Sequence, residues 1–268
     1  MKSAITVLKE QIQSFYLVRR LSLFELKSKN KNNYLGMLWE ILNPGIQLAI
    51  YWYVFGYLIR GDDRAVDNYP FFPWLLAGMI MWFFVSPAIT EGSKSIYTRI
   101  KVISKMSFPL SVVPTYVIFS RLYPHLILVG ISVILLQFMG FPVSIYYLQL
   151  PYFIFATVAL LVSLALLTST LSTIIRDVQM IVVSSIRMLL YLTPILWARD
   201  LPGFLSVIMK LNPLYYLVEG YRASLIYNEW YIITDWQFTL YFWAFVSFIF
   251  IIGSSVHVKF RRHFVDYL

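Results

Sequence analysis

The chain has 268 residues, of which 59% are hydrophobic, 18% aromatic and only 13% charged, and its mean hydropathy is +0.70. Soluble domains carry about 25% charged residues; lipid, rather than a soluble core, accommodates 21 Phe, 20 Tyr and 8 Trp. Cysteine is absent, which excludes disulfides, thiolate metal centres and thiol catalysis, and the net charge of +9 is no nucleic-acid face, because Lys and Arg flank apolar segments as membrane topology requires.

Residues 1–31 lack an apolar run followed by a small-residue cleavage site, so they do not read as a signal peptide. Within 5–26, Ile5, Leu8, Ile12 and Phe15 recur at helical spacing while Lys9, Gln13, Arg19 and Arg20 lie off that stripe. This predicts an amphipathic helix on the cytoplasmic membrane surface, its basic residues suited to anionic headgroups. A cytosolic helix packed on a partner is the alternative. Residues 1–32 are taken as this interface element and 33–268 as one membrane domain.

The remaining pattern predicts an all-α integral membrane protein with six transmembrane helices, over 41–59, 71–89, 111–138, 150–175, 178–197 and 238–256. Two of these carry a charge, Arg121 and Arg187. An even number of spans puts both ends on one side. Lys and Arg concentrate in 1–40, 90–110, 176–177 and 257–268, so the positive-inside rule makes that side cytoplasmic. Residues 201–231 are apolar but interrupted by Pro202, Asn212 and Pro213. They predict short re-entrant helices dipping in from outside, or an outer cap.

Chemistry-bearing motifs are sparse. There is no GxxxxGK[ST], HExxH or GxSxG stretch. His125, His257 and His263 are too scattered for a metal site, and no acidic pair lies inside a span to relay ions. Arg121 and Arg187 remain as intramembrane charges. A guanidinium binds phosphate through its fork of donors, so both are candidates for the passage of an anionic or diphosphate-linked substrate; ion pairing or snorkelling is the other reading. Tyr51, Trp52, Trp74, Phe83 and Tyr191 fit either a ring-lined sugar passage or ordinary belts and packing. In 90–110, Lys94, Arg99, Lys101 and Lys105 alternate with Ile96, Ile100 and Ile103 before Phe108 and Pro109. That suits a short helix pressed into a soluble partner, or a plain positive-inside loop. Asp62, Asp63 and Asp67 could offer carboxylates to a metal-dependent transferase acting on lipid-linked sugars, but a solvated loop is the preferred explanation of them. A passive channel or scaffold is a third class.

The stretch Tyr34-Leu35-Gly36-Met37-Leu38-Trp39-Glu40-Ile41-Leu42-Asn43-Pro44 resembles the "LGxLWxxLNP" signature of ABC-2 type exporter permeases for polysaccharides. Lys105 to Pro109 resembles that family's "K-x-x-F-P" segment, Arg176-Asp177 its short turn between spans four and five, and Asn212-Pro213-Leu214 with Glu219-Gly220-Tyr221-Arg222 its outer segment. The matches run in order along nearly the whole chain. Within the family, the wall teichoic acid translocation permeases look most similar, with O-antigen and capsule permeases nearest to them. The resemblance implies a transport subunit and not an enzyme. It implies a homodimer bound to two copies of a separate ATPase, which holds ATP and Mg, while this chain holds no cofactor or metal. The implied cargo is a polymer on a polyprenyl diphosphate, exported across a bacterial plasma membrane. Residues 93–109 are implied as the coupling element, with Lys94, Arg99, Lys101, Lys105 and Phe108 in it and Arg176 and Asp177 at a second contact.

Overall fold

A computed structural model describes residues 2–61, 66, 68–100, 108–197 and 204–267. Among these the elements in chain order are α1 (Lys2–Gln13), α2 (Phe15–Asn30), α3 (Trp39–Tyr51), α4 (Phe71–Ser93), α5 (Val112–Phe138), α6 (Leu150–Ile174), α7 (Asp177–Leu192), α8 (Phe204–Leu211), α9 (Pro213–Arg222), α10 (Tyr231–Thr234) and α11 (Trp236–Phe260). Wide π turns extend α3 over Trp52–Leu58 and α9 over Ala223–Tyr227. Asp62, Asp63, Asp67, Lys101, Lys105 and Ile103 lie outside the described residues.

Among the described residues, four stretches are long and apolar enough to cross a membrane: Phe71–Ser93, Val112–Phe138, Ile145–Ile174 and Trp236–Phe264. They match the expected spans over 71–89, 111–138 (from Val112), 150–175 (to Ile174) and 238–256. The other two expected segments are less regular. The one over 41–59 begins as α3, of 13 residues, and loosens into the π turn at Trp52. The one over 178–197 ends at Leu192, and Thr193 is extended, with φ −104 and ψ 140. The reason is local: Pro194 follows Thr193, and the residue before a proline is driven out of the helical region.

α4 is the centre of the bundle and packs against α5, α6, α7 and α9. Its apolar residues face inward almost all round, and Trp74, Met79 and Phe84 are fully buried. α9 also enters this core, with every residue from Leu214 to Arg222 buried. It starts where Asn212 accepts a hydrogen bond from the Leu214 amide at 3.0 Å, with Pro213 at its first turn. The 201–231 segment thus holds the expected pair of short helices. Gly220 lets α9 close on α6: a Cβ there would sit 2.1 Å from the Phe153 ring.

The amphipathic element is two helices, broken at Ser14. Ala4, Val7, Val18, Ser22 and Leu26 turn toward the bundle, where α1 packs on α11 and α2 on α5. Ile5, Leu8, Ile12 and Phe15 face outward. A helix pinned on one side that still shows an apolar stripe on the other suits the plane of a membrane surface. Polar contacts fasten it: Arg261 pairs with Glu10 at 2.6 Å, Ser111 Oγ donates to Glu10 at 2.5 Å, and Ser22 shares a 3.2 Å hydrogen bond with Tyr123. α1, α2, the end of α4, the start of α5 and the end of α11 therefore gather on one side of the molecule.

Candidate functional site: a polar cavity beside α3

On that side a cavity of about 830 Å³ lies between α2, α3, α4 and α5. Its wall mixes charged groups (Lys29, Glu40, Glu91, Lys94, Arg121) with amides (Asn30, Asn33, Asn43, Gln47) and rings (Trp39, Trp82, Phe83). The lining is more polar than that of an ordinary small-molecule site, which suits a charged and hydroxylated ligand.

Arg121 organises the charge. Its Nε donates to Glu91 at 2.6 Å, its Nη2 also bonds Glu91, and its Nη1 donates to both oxygens of Glu40, at 3.1 and 2.9 Å. Lys29 reaches Glu91 at 2.6 Å, and Asn30 donates to Glu40 at 3.3 Å. One arginine thereby ties the end of α2, the first turn of α3 and the end of α4 to α5. Arg121 is 7% exposed, whereas Glu40, Glu91 and Lys29 are 17, 24 and 42% exposed in their side chains. The network is anchored in the wall and open to the cavity. Three cations face two carboxylates there, so the wall carries a surplus positive charge.

Three prolines also line the cavity, Pro44 from α3, Pro87 from α4 and Pro124 from α5. Each lacks the amide that would bond the carbonyl four residues back. Such freed backbone oxygens are tolerated at membrane depth where they border a water-filled space. Gly36, at φ +50, makes the turn that delivers Trp39 and Glu40 to this wall. Glycine, tryptophan and proline of the "LGxLWxxLNP" motif thus have jobs here, and so does Glu40 between them.

Of the residues expected in a passage, Arg121 and Phe83 line this cavity together with Lys94. Trp52 and Tyr191 are exposed on the outer faces of the π turn and α7, and Tyr51 is half-buried at the end of α3. Arg187 is exposed on α7, with no ion pair or hydrogen bond to a described residue. Trp74 is elsewhere, fully buried, donating to the Tyr227 hydroxyl at 2.9 Å. Over its ring, at 3.5 Å, lies the guanidinium of Arg222. Arg222 also bonds Glu219 at 2.9 Å, the Pro194 carbonyl at 2.6 Å and the Ile195 carbonyl at 3.3 Å.

In the expected coupling element, Ile96 and Ile100 turn inward and form a small cluster with Val18, Val112, Val113, Val117 and Phe264, with Phe108 packed beside it. Ile96 and Ile100, two residues of the apolar face expected to meet a partner, are thus spent on the chain itself. Arg99 pairs with Glu25 of α2. Burial alone would lower the Arg99 pKa, but the hydrogen bond to Glu25 together with the charges of Tyr116, Glu25 and Glu91 outweighs it, and the net direction is up. Arg176 and Asp177 are exposed at the start of α7. Ser93 donates to the side chain of Gln179, whose amide donates to the Thr90 carbonyl at 3.3 Å. The end of α4 and the start of α7 are therefore joined.

Glu40, Glu91 and Lys29 were not singled out from sequence, nor was Arg222 as a buried charge. The available signal was an unpaired Arg inside a span, which demands carboxylates from somewhere.

A family model for the ABC-2 type transporter matches residues 16–226. The chain belongs to that family. It is similar to O-antigen export system permease proteins RfbA. With one from Klebsiella pneumoniae it is 26% identical over 246 residues, covering 91% of this chain and 92% of that protein. With one from Myxococcus xanthus it is 25% identical over 202 residues, 74% and 76% of the two chains. As a member of the family the chain is a multi-pass transport subunit, and ATP hydrolysis belongs to a separate subunit.

Proposed function

We propose that this chain is the membrane subunit of an ATP-driven exporter that carries a polysaccharide on a polyprenyl diphosphate from the cytoplasm to the outside of a bacterial plasma membrane. The observation that carries this reading is the similarity over nine-tenths of both chains to an O-antigen export permease. These relatives favour an O-antigen type of polysaccharide over the teichoic acid that the motifs alone put first. The subunit crosses the membrane six times with both ends inside, α3 with its π turn and α7 with its extended tail serving as the two irregular spans. The helices α8 and α9 re-enter from outside.

The cavity receives the carrier's head. Its rings offer faces to sugars and its amides bond hydroxyls, while Arg121, Lys29 and Lys94 attract the diphosphate. Arg121 can exchange one carboxylate for a phosphate without leaving its place, because Glu40 and Glu91 border water. Two copies of the chain associate with two ATPase subunits, which bind ATP and Mg. The polymer then passes between the copies, beside the half-buried Tyr51 and the exposed Trp52, Arg187 and Tyr191. ATP-driven movement of 93–109 and of the Arg176–Asp177 turn reaches the spans through Ser93 and Gln179. With Ile96 and Ile100 turned inward, the docking surface is the polar one: Lys94, Lys101, Lys105, Arg176 and Asp177.

The test is reconstitution with the co-purifying ATPase and a lipid-linked O-polysaccharide. The polymer should stimulate ATP hydrolysis and appear on the far side; no stimulation by any lipid-linked polysaccharide would refute the reading. Arg187→Ala should cut export and leave assembly intact, and unaltered surface polymer would remove Arg187 from the passage.

A further inference from the structure

On the opposite side of α5 from the polar cavity is a second depression, of about 640 Å³. Its floor is α6, with Phe155, Val158, Ala159 and Val162; α5 and α11 form its walls, and the α1–α2 elbow closes one end. The lining is almost wholly apolar except at that end. There Gln11 spends its amide nitrogen on the Ser111 carbonyl at 2.8 Å. That carbonyl is the one Thr115, four residues on, would ordinarily bond from within its own helix. The Gln11 Oε1 and the Thr115 Oγ1 are both buried there, and neither has a hydrogen-bond partner among the described residues. Thr115 is 7% exposed. Buried polar atoms of this kind are rare and call for a partner.

We propose that this groove holds one glycerophospholipid, with an acyl chain along α6 and its ester region at Gln11 and Thr115. Three features converge on that occupant. The groove is open along α6 and α11, two of the stretches apolar and long enough to span a membrane. Its rim continues into the outward stripe of Leu8, Ile12 and Phe15, which suits the membrane surface. Its two orphan groups meet at one end of the groove, where Thr115 lies about one turn, ~5 Å, inside α5 and Gln11 of α1 bonds the Ser111 carbonyl, so polar ester groups have partners at that end and acyl chain has the apolar floor. An ester carbonyl accepts from the Thr115 hydroxyl, and a headgroup ammonium or glycerol hydroxyl donates to Gln11. A chain-only ligand would leave both unanswered. The exported carrier is not the occupant, because its polar cavity faces the other side of α5. The lipid fastens α1 and α2 to the spans and so holds the helix that supplies Lys29 and Asn30 to the cavity.

The experiment is native mass spectrometry of the permease–ATPase complex. The complex is first equilibrated with equal amounts of chain-deuterated phosphatidylethanolamine and phosphatidylglycerol, then washed in detergent. The wild type should retain one labelled phospholipid per copy of this chain. Ala159→Trp, which fills the groove, should lower retention at least tenfold, and Thr115→Val with Gln11→Leu should lower it several-fold. If Ala159→Trp does not yield folded complex, Val158→Phe is read the same way. A wild type that retains no phospholipid, a groove-filled variant that retains as much as the wild type, or a retained mass matching a polyprenyl carrier would each overturn the proposal. Retention is read without transport, so this result stands apart from the export assay.

Discussion

Arg121 and Arg222 are both nearly or fully buried arginines in one helical bundle, yet they solve opposite problems. Arg222 is fully buried, and its partner Glu219 is 1% exposed. Every direction it offers is taken, by a carboxylate, by carbonyls at the broken end of α7 and by the face of Trp74. Gly78 is shaped around it, since a Cβ there would stand 2.8 Å from a guanidinium nitrogen. Such a pair is dry and has one arrangement. Arg121 has carboxylates on two other elements, and those carboxylates border a cavity. Its pairs are wet on one side and exchangeable. A charge whose partners are local and sealed acts as a rivet, while a charge whose partners come from several helices and meet solvent can trade them.

The contrast is broken or sharpened first at Arg222. Arg222→Met removes the ion-pair partner of a buried Glu and the donors to the Trp74, Pro194 and Ile195 carbonyls, a class of change that costs about 3–5 kcal/mol. Thermal unfolding in detergent and the yield of monodisperse protein should both collapse. A well-folded Arg222→Met protein would show that the pair is not a rivet. Gly220→Ala comes next. Its methyl would overlap the Phe153 ring, and overpacking of this kind costs about 1–3 kcal/mol, visible as a lowered melting temperature with assembly retained.

Arg121→Gln should cost less stability, about 2 kcal/mol, because its partners gain water when the charged hydrogen bonds are lost. Export should nevertheless fall at least tenfold while the ATPase still co-purifies. Unchanged export would demote the cavity to a structural void. The smallest effect is expected at Gln179→Ala, where stability should shift by under about 1 kcal/mol. ATP hydrolysis should continue with fewer polymers exported per ATP, and an unchanged ratio would remove the Ser93–Gln179 link from the coupling route.

Much was legible in the chain before any fold was known. Apolar runs of 19 residues or more without partners in soluble chemistry forced a helical membrane protein, and the motif around Leu35–Pro44 pointed to the right family. The split of the N-terminal element at Ser14 was not legible, because no proline or glycine marks it; its inward face turns from Val7 to Val18 across that break. The early stop of α7 was legible in principle, since Pro194 sits in the expected span. That rule lost there to the length of the apolar run.

By itself the sequence determined the elements whose reason is local: spans long enough for lipid, the turn that needs Gly36, the capped start of α9 at Asn212 and Pro213. The tertiary structure alone decided which carboxylates answer Arg121, 81 and 30 residues away along the chain. It also decided that Arg222 is sealed against Trp74, that Ile96 and Ile100 face inward, and that Gln11 of α1 bonds the Ser111 carbonyl beside an unanswered Thr115 hydroxyl. The physical reason is the same in each case. Hydropathy and capping act over one or two turns, whereas a buried charge or hydroxyl is satisfied by whatever the packing of distant helices brings within about 3 Å, and no spacing in the chain records that.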